Sequence, residues 1–110
     1  MTHVRLMRTA GGSWRGFAGD GHTGFAEEGE DIVCAAVSVL LQTAYLGITR
    51  VAGVTVHYHT AKGRLFCQWQ ALQEPEQSRV QLLMDTLQEG LQEIRKVYTA
   101  FVSIQIEEVD

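Results

Sequence analysis

Apolar and polar positions alternate from Thr2 to Thr9, with Val4, Leu6 and Arg8 on one side and His3, Arg5 and Met7 on the other. That period predicts a strand. Ala10-Gly11-Gly12-Ser13 is a turn cluster, and Trp14 to Ala18 reads as a return strand completing a hairpin. Asp20-Gly21 closes that strand and delivers His22. From Thr23 to Val33 the pattern is lost among Gly24, Gly29, Glu27, Glu28, Glu30 and Asp31, which predicts a loop. Asp31 is a suitable N-cap, followed by a helix to about Leu46 that Gly47 would stop. This helix is apolar on nearly all sides (Val33, Ala36, Val37, Leu40, Leu41, Ala44), as expected of a core helix packed on a sheet. Val51 to His59 is rich in β-formers and alternates, Ala61-Lys62-Gly63 is a turn, and Arg64 to Gln70 returns with Leu65, Cys67 and Trp69 on one side. After Pro75, Leu83, Met84, Leu87, Leu91, Ile94 and Val97 follow a helical period, with Leu82 outside the stripe and Gly90 a weak point. Phe101 to Glu107 alternates again. The order β-β-α-β-β-α-β predicts an α/β chain of the α+β kind. We expect a two-layer sandwich, with two helices on a mixed or antiparallel sheet, in a single domain over residues 1–110.

Composition narrows the function without changing that picture. With 110 residues, 45% hydrophobic and 20% charged, the chain can bury a core without metals or disulfides. A net charge of −4 and a pI near 5.5 argue against broad electrostatic binding to nucleic acid. Two cysteines are too few for a disulfide framework, which favours a reducing cytoplasm. The first residues lack a signal-peptide core, and no run of about 18 apolar residues is evident, so no membrane role is expected.

The chemistry concentrates between Gly21 and Ser38. A cysteine three residues past an Asp31 cap lies near the unpaired amides and positive end of the helix, which favour a thiolate and can receive an oxyanion. His22, set between Gly21 and Gly24, is the natural general base, provided its ring comes within about 3 Å of the sulfur or reaches it through a water. Ser38 follows Cys34 by one helical turn on the same face. It could orient the histidine or a substrate group, or back-bond to the Cys34 carbonyl. Plainer roles compete with each of these. A lone cysteine on an apolar helix is commonly core, and a histidine in a glycine turn is commonly just exposed. The acidic loop is commonly a solvated surface, and it opposes a thiolate. His57 and His59 share a strand face, yet no Cys-x-x-Cys or His-x-x-x-His spacing supports a metal site, and no cofactor is expected. Cys67, lying with Leu65 and Trp69, reads as core.

Gly21-His22, Gly24, Gly29, the run Asp31-Ile32-Val33-Cys34-Ala35-Ala36 and Ser38 together resemble the signature of the bacterial ribosomal-processing cysteine proteases, the Prp family. The order of elements resembles that family over nearly the whole chain. The resemblance implies a cysteine endopeptidase that removes the N-terminal extension of large-subunit ribosomal protein twenty-seven. His22 matches the family's catalytic histidine, Cys34 its nucleophile, and Ser38 a serine often found with them. It further implies a homodimer and a flexible loop over the substrate groove; Gly21, Gly24 and Gly29 are expected to be hinges of that loop. Thr23 departs mildly, standing where members often carry a smaller residue. Glu27, Glu28 and Glu30 would draw a basic segment of the ribosomal precursor. The competing readings are a non-enzymatic ribosome-associated binding module with an incidental cysteine, and a redox or acyl-transfer enzyme using the same thiol.

Overall fold

The computed structural model describes residues 1–21 and 30–110, and the side chains of all of these except Glu30 and Asp31. Five strands and two long helices follow the expected order: β1 (Thr2–Thr9), β2 (Trp14–Asp20), α1 (Glu30–Leu46), β3 (His57–Ala61), β4 (Arg64–Gln68), α2 (Glu76–Val97) and β5 (Val102–Val109). They form one mixed sheet in the order β3-β4-β2-β1-β5. The two hairpins and the β2–β4 pair are antiparallel, while β5 runs parallel to β1 in unbroken register from Thr2↔Val102 to Thr9↔Val109. The two layers arise because β1 buries alternate side chains, Thr2, Val4 and Leu6, under the helices. Beneath the helices Phe17, Cys67 and Trp69 join α1 residues Val33, Val37, Leu41 and Ala44 and α2 residues Val80, Met84, Leu87 and Leu91 in a single core.

The two tryptophans bury large rings while keeping their polar atoms paired, as buried indoles require. Trp14 donates from Nε1 to Asp85 Oδ1 (2.8 Å), and Trp69 donates from Nε1 to the Trp14 carbonyl (3.0 Å). Gln81 Nε2 reaches the Gly12 carbonyl (2.9 Å), so α2 is tied to the β1–β2 turn as well as to the core. Tyr45 on α1 stacks on Tyr58 of β3, with ring centroids 3.7 Å apart.

Several boundaries differ from expectation for identifiable reasons. Gly47 does not stop the first helix. The chain widens into a π-turn, Gly47–Val51, closed by the Ala52 amide on the Gly47 carbonyl (2.8 Å). A Cβ on Gly47 would make ordinary van der Waals contact with the Leu83 side chain, at 3.4 Å. The turn consumes the start of the β-rich run, and the third strand begins only at His57, while Val54 is buried in the core. Val97, expected on the apolar stripe of α2, is exposed. Ile32–Val51 is long and apolar enough to cross a membrane by length and composition, contrary to the expectation of no such run. Within it Val33, Val37, Leu41, Ala44 and Ile48 are buried in the core, while Ile32, Val39 and Val51 are exposed.

Candidate active site

Helix α1 is described over Glu30–Leu46, so Asp31 is a helical residue instead of an N-cap. Helical side chains lean toward the N-terminus and cover the preceding turn. The Cys34 side chain is therefore directed toward the preceding turn of α1. Cys34 is half-buried and opens into a cleft of about 240 Å³. One wall is α1, with Cys34, Ser38 and Gln42. The opposite wall is made by the ends of four strands, β1 to β4, with Thr2, Gly21 and Arg64.

Gly21 is placed by backbone contacts. Its amide donates to the Gly63 carbonyl at 2.8 Å, which pins the end of β2 to the β3–β4 turn. Gly63 has φ +75°, and a Cβ there would come within 2.6 Å of the Gly21 carbonyl oxygen, so position 63 excludes side chains twice over. At Gly21 itself a Cβ would stand 2.7 Å from Cys34 Sγ. The glycine before His22 therefore has a physical purpose beyond freedom of the loop: it leaves room for the sulfur against the backbone.

Of the expected site residues, the structure brings together Gly21, Cys34 and Ser38. Among the described residues the Ser38 hydroxyl has no hydrogen-bond partner, so of its two alternatives the back-bond to the Cys34 carbonyl is not formed. His22, Gly24, Glu27, Glu28 and Gly29 lie outside the described residues, as do the side chains of Glu30 and Asp31. His57 and His59 are exposed on β3, and His59 lines a hollow of about 480 Å³ elsewhere on the sheet, away from Cys34. That larger hollow holds an exposed His3–Ser103 hydrogen bond (2.7 Å) and no thiol. Among the described residues no group of three metal-ligating side chains occurs. Cys67 is fully buried, as expected of a core residue, and burial pushes its thiol up to about 12. Asp20 and Arg64, both exposed, sit on the cleft wall 3.8 Å apart. Sequence reasoning overlooked Thr2. The available signal was a hydroxyl in the inward register of β1, where Val4 and Leu6 are apolar.

A half-buried thiol, open to a cleft at the start of a core helix and backed by bare main chain, is the arrangement of an enzyme that attacks a carbonyl with sulfur. The chain belongs to the Prp family of cysteine proteases, whose sequence profile matches residues 1–103. It is a cysteine protease. Its fold is similar to that of an essential ribosomal processing protease, Prp, from S. aureus in complex with a substrate peptide. That pair shares 21% identity over 97% of this chain and 100% of that chain, with a TM-score of 0.85. A second structure of the S. aureus protease, with a covalently linked product peptide, is 23% identical over 97% and 100% of the two chains, with a TM-score of 0.81. SMU.848 from Streptococcus mutans is 25% identical over 99% of both chains, with a TM-score of 0.85. No curated protein sequence matches the chain.

Proposed function

We propose that this protease removes the N-terminal extension of bacterial large-subunit ribosomal protein twenty-seven in the cytoplasm, with Cys34 as nucleophile and His22 as general base. The observation that carries the reading is the Cys34 thiol open to a cleft beside Gly21, in a chain matched by the Prp family. The S. aureus protein of similar fold is a ribosomal processing protease, which supports a ribosomal precursor as the substrate class.

In this reading the extension lies along the cleft between α1 and the strand ends. His22 takes the proton of Cys34, and the sulfur attacks the scissile carbonyl. First-turn amides of α1 hold the developing oxyanion. The Gly21 amide is already engaged with Gly63 and does not contribute. His22 then protonates the leaving amine, and water releases the acyl-enzyme. Ser38 orients the base or the substrate from one turn further along. Asp31 assists from the first turn of the helix. Gly24 and Gly29 hinge the intervening segment, and Glu27, Glu28 and Glu30 draw a basic stretch of the precursor. Homodimer formation is supported by an apolar stripe on α1, where Ile32 and Val39 are 64% and 61% exposed.

Incubation with the ribosomal precursor, followed by mass spectrometry, tests reaction and substrate together. The expected product is the shortened protein, absent with Cys34→Ala. An uncleaved precursor alongside cleavage of other peptides would retain the protease and reject this substrate. Changing Glu27, Glu28 and Glu30 to Gln should weaken precursor binding, more so at low salt. Equal binding at both salts would remove the loop acids from the account.

A further inference from the structure

Thr2 begins β1 on the side that faces the helices, and it is only 3% exposed. Its Oγ1 is buried and has no hydrogen-bond partner among the described residues. Native proteins pair nearly all such groups, so an unpaired one calls for a reason. The backbone supplies none. The Thr2 amide donates to the Phe101 carbonyl at 2.8 Å, a bond that any residue except proline could make. Valine would fill the same space without an unpaired oxygen.

Beside this hydroxyl lies the reacting sulfur. A Cβ placed on Gly21 would stand 2.7 Å from Cys34 Sγ and 3.4 Å from Thr2 Oγ1, with the Thr2 methyl farther off at 3.8 Å. The hydroxyl and the thiol thus flank one small space, which the absent side chain of Gly21 leaves open. Both residues line the same cleft. The oxygen itself is closed to solvent, so an arriving peptide does not reach it in this arrangement, whereas Cys34 Sγ borders the same space at Gly21.

We propose that Thr2 Oγ1 donates a hydrogen bond to Cys34 Sγ when Cys34 is a thiolate, and so holds the nucleophile ionised and aimed. The inference rests on Cys34 being the nucleophile. A neutral thiol is a weak donor and a weak acceptor, which accounts for the unpaired hydroxyl in the resting protein. Once the thiol proton has passed to the general base, the sulfur becomes an anionic acceptor, and charge-assisted bonds are roughly twice as strong as neutral ones. Forming this hydrogen bond makes and breaks no covalent bond. The other ionisable groups on the described cleft walls, Asp20 and Arg64, are exposed and paired with each other, so neither is reserved for the sulfur.

The test is the pH profile of iodoacetamide alkylation at Cys34 in the full chain, read by peptide mass spectrometry for wild type, Thr2→Val, Thr2→Ala and Thr2→Ser. Thermal midpoints are measured in parallel. With the hydroxyl removed, alkylation at pH 7 should fall about tenfold, the effect of one pKa unit, while the high-pH plateau stays near wild type. Thr2→Ser should stay within about twofold of wild type, because it keeps the donor. Thr2→Val should melt no lower than wild type, since it exchanges an unpaired buried hydroxyl for a methyl group. Thr2→Ala carries the same kinetic expectation if the valine variant does not fold. Wild-type profiles in the valine or alanine variant would overturn the proposal and leave the nucleophile standing. A wild-type Cys34 that reacts no faster at pH 7 than a free thiol would overturn both.

Discussion

Cys34 and Cys67 are the same residue in two settings of one small core. Cys34 sits at the start of a helix beside a cleft, with the bare backbone of Gly21 against its sulfur. Cys67 sits in the middle of the sheet on β4, paired to Phe17 of β2 and Tyr58 of β3, with no exposed surface. Burial pushes the Cys67 thiol up to about 12, because a charged sulfur has nothing to solvate it there. The contrast shows that reactivity is a property of placement. The helix start and the glycine make one sulfur available, and the sheet makes the other inert.

The sharpest way to break the contrast is to exchange the consequences of losing each thiol. Cys34→Ala should reduce peptide cleavage by at least about 10³-fold, as nucleophile removal does. Cys67→Ala should leave the cleavage rate at the wild-type value. A fall in the Cys67 variant comparable to that in the Cys34 variant would abolish the distinction. Gly21→Ala comes next. Its Cβ would press the Cys34 sulfur out of place, so cleavage should drop by about 10–100-fold with little change in melting temperature, since small misplacements of reacting groups carry costs of this size.

A third test uses pH. The raised Cys67 value means that the folded state keeps a proton which the unfolded state releases above about pH 9. This contribution to stability is complete below pH 9 and declines as pH rises toward 12. Tyr58, raised mainly by burial, adds to the decline in the same direction. The urea midpoint measured at pH 8 and pH 10 should fall for wild type and fall less for Cys67→Ala. Equal slopes in the two proteins would show that the Cys67 thiol is not held neutral. The smallest effect is at neutral pH, where Cys67→Ala should cost about 1 kcal/mol for the lost packing.

Periodicity alone revealed much of the fold. β1 matches its alternating run, α2 matches its apolar stripe through Leu91, and the element order is the expected one. The misreadings cluster where tertiary packing overrode local preference. Gly47 looks like a stop because glycine ends many helices, but here the chain continues into a wider turn that packs against α2. Val51 looks like a strand residue because it is β-branched, yet it is the last residue of that turn. Cys34 and Ser38 could be placed together from helical spacing. Thr2 could not be joined to them, because it reaches the cleft only through the pairing of β1 with strands distant in sequence.

That pairing carries a consequence for how the enzyme is born. Thr2, on the wall of the cleft, is anchored to Phe101 and registers against Val102, at the start of β5, the most C-terminal of the described strands. Parallel contacts of such sequence separation form late and slowly. A nascent chain whose last strand is still inside the ribosome has its cysteine but lacks β5, the partner that anchors one wall of the cleft. Synthesis therefore delays completion of the cleft until the rest of the domain has already emerged.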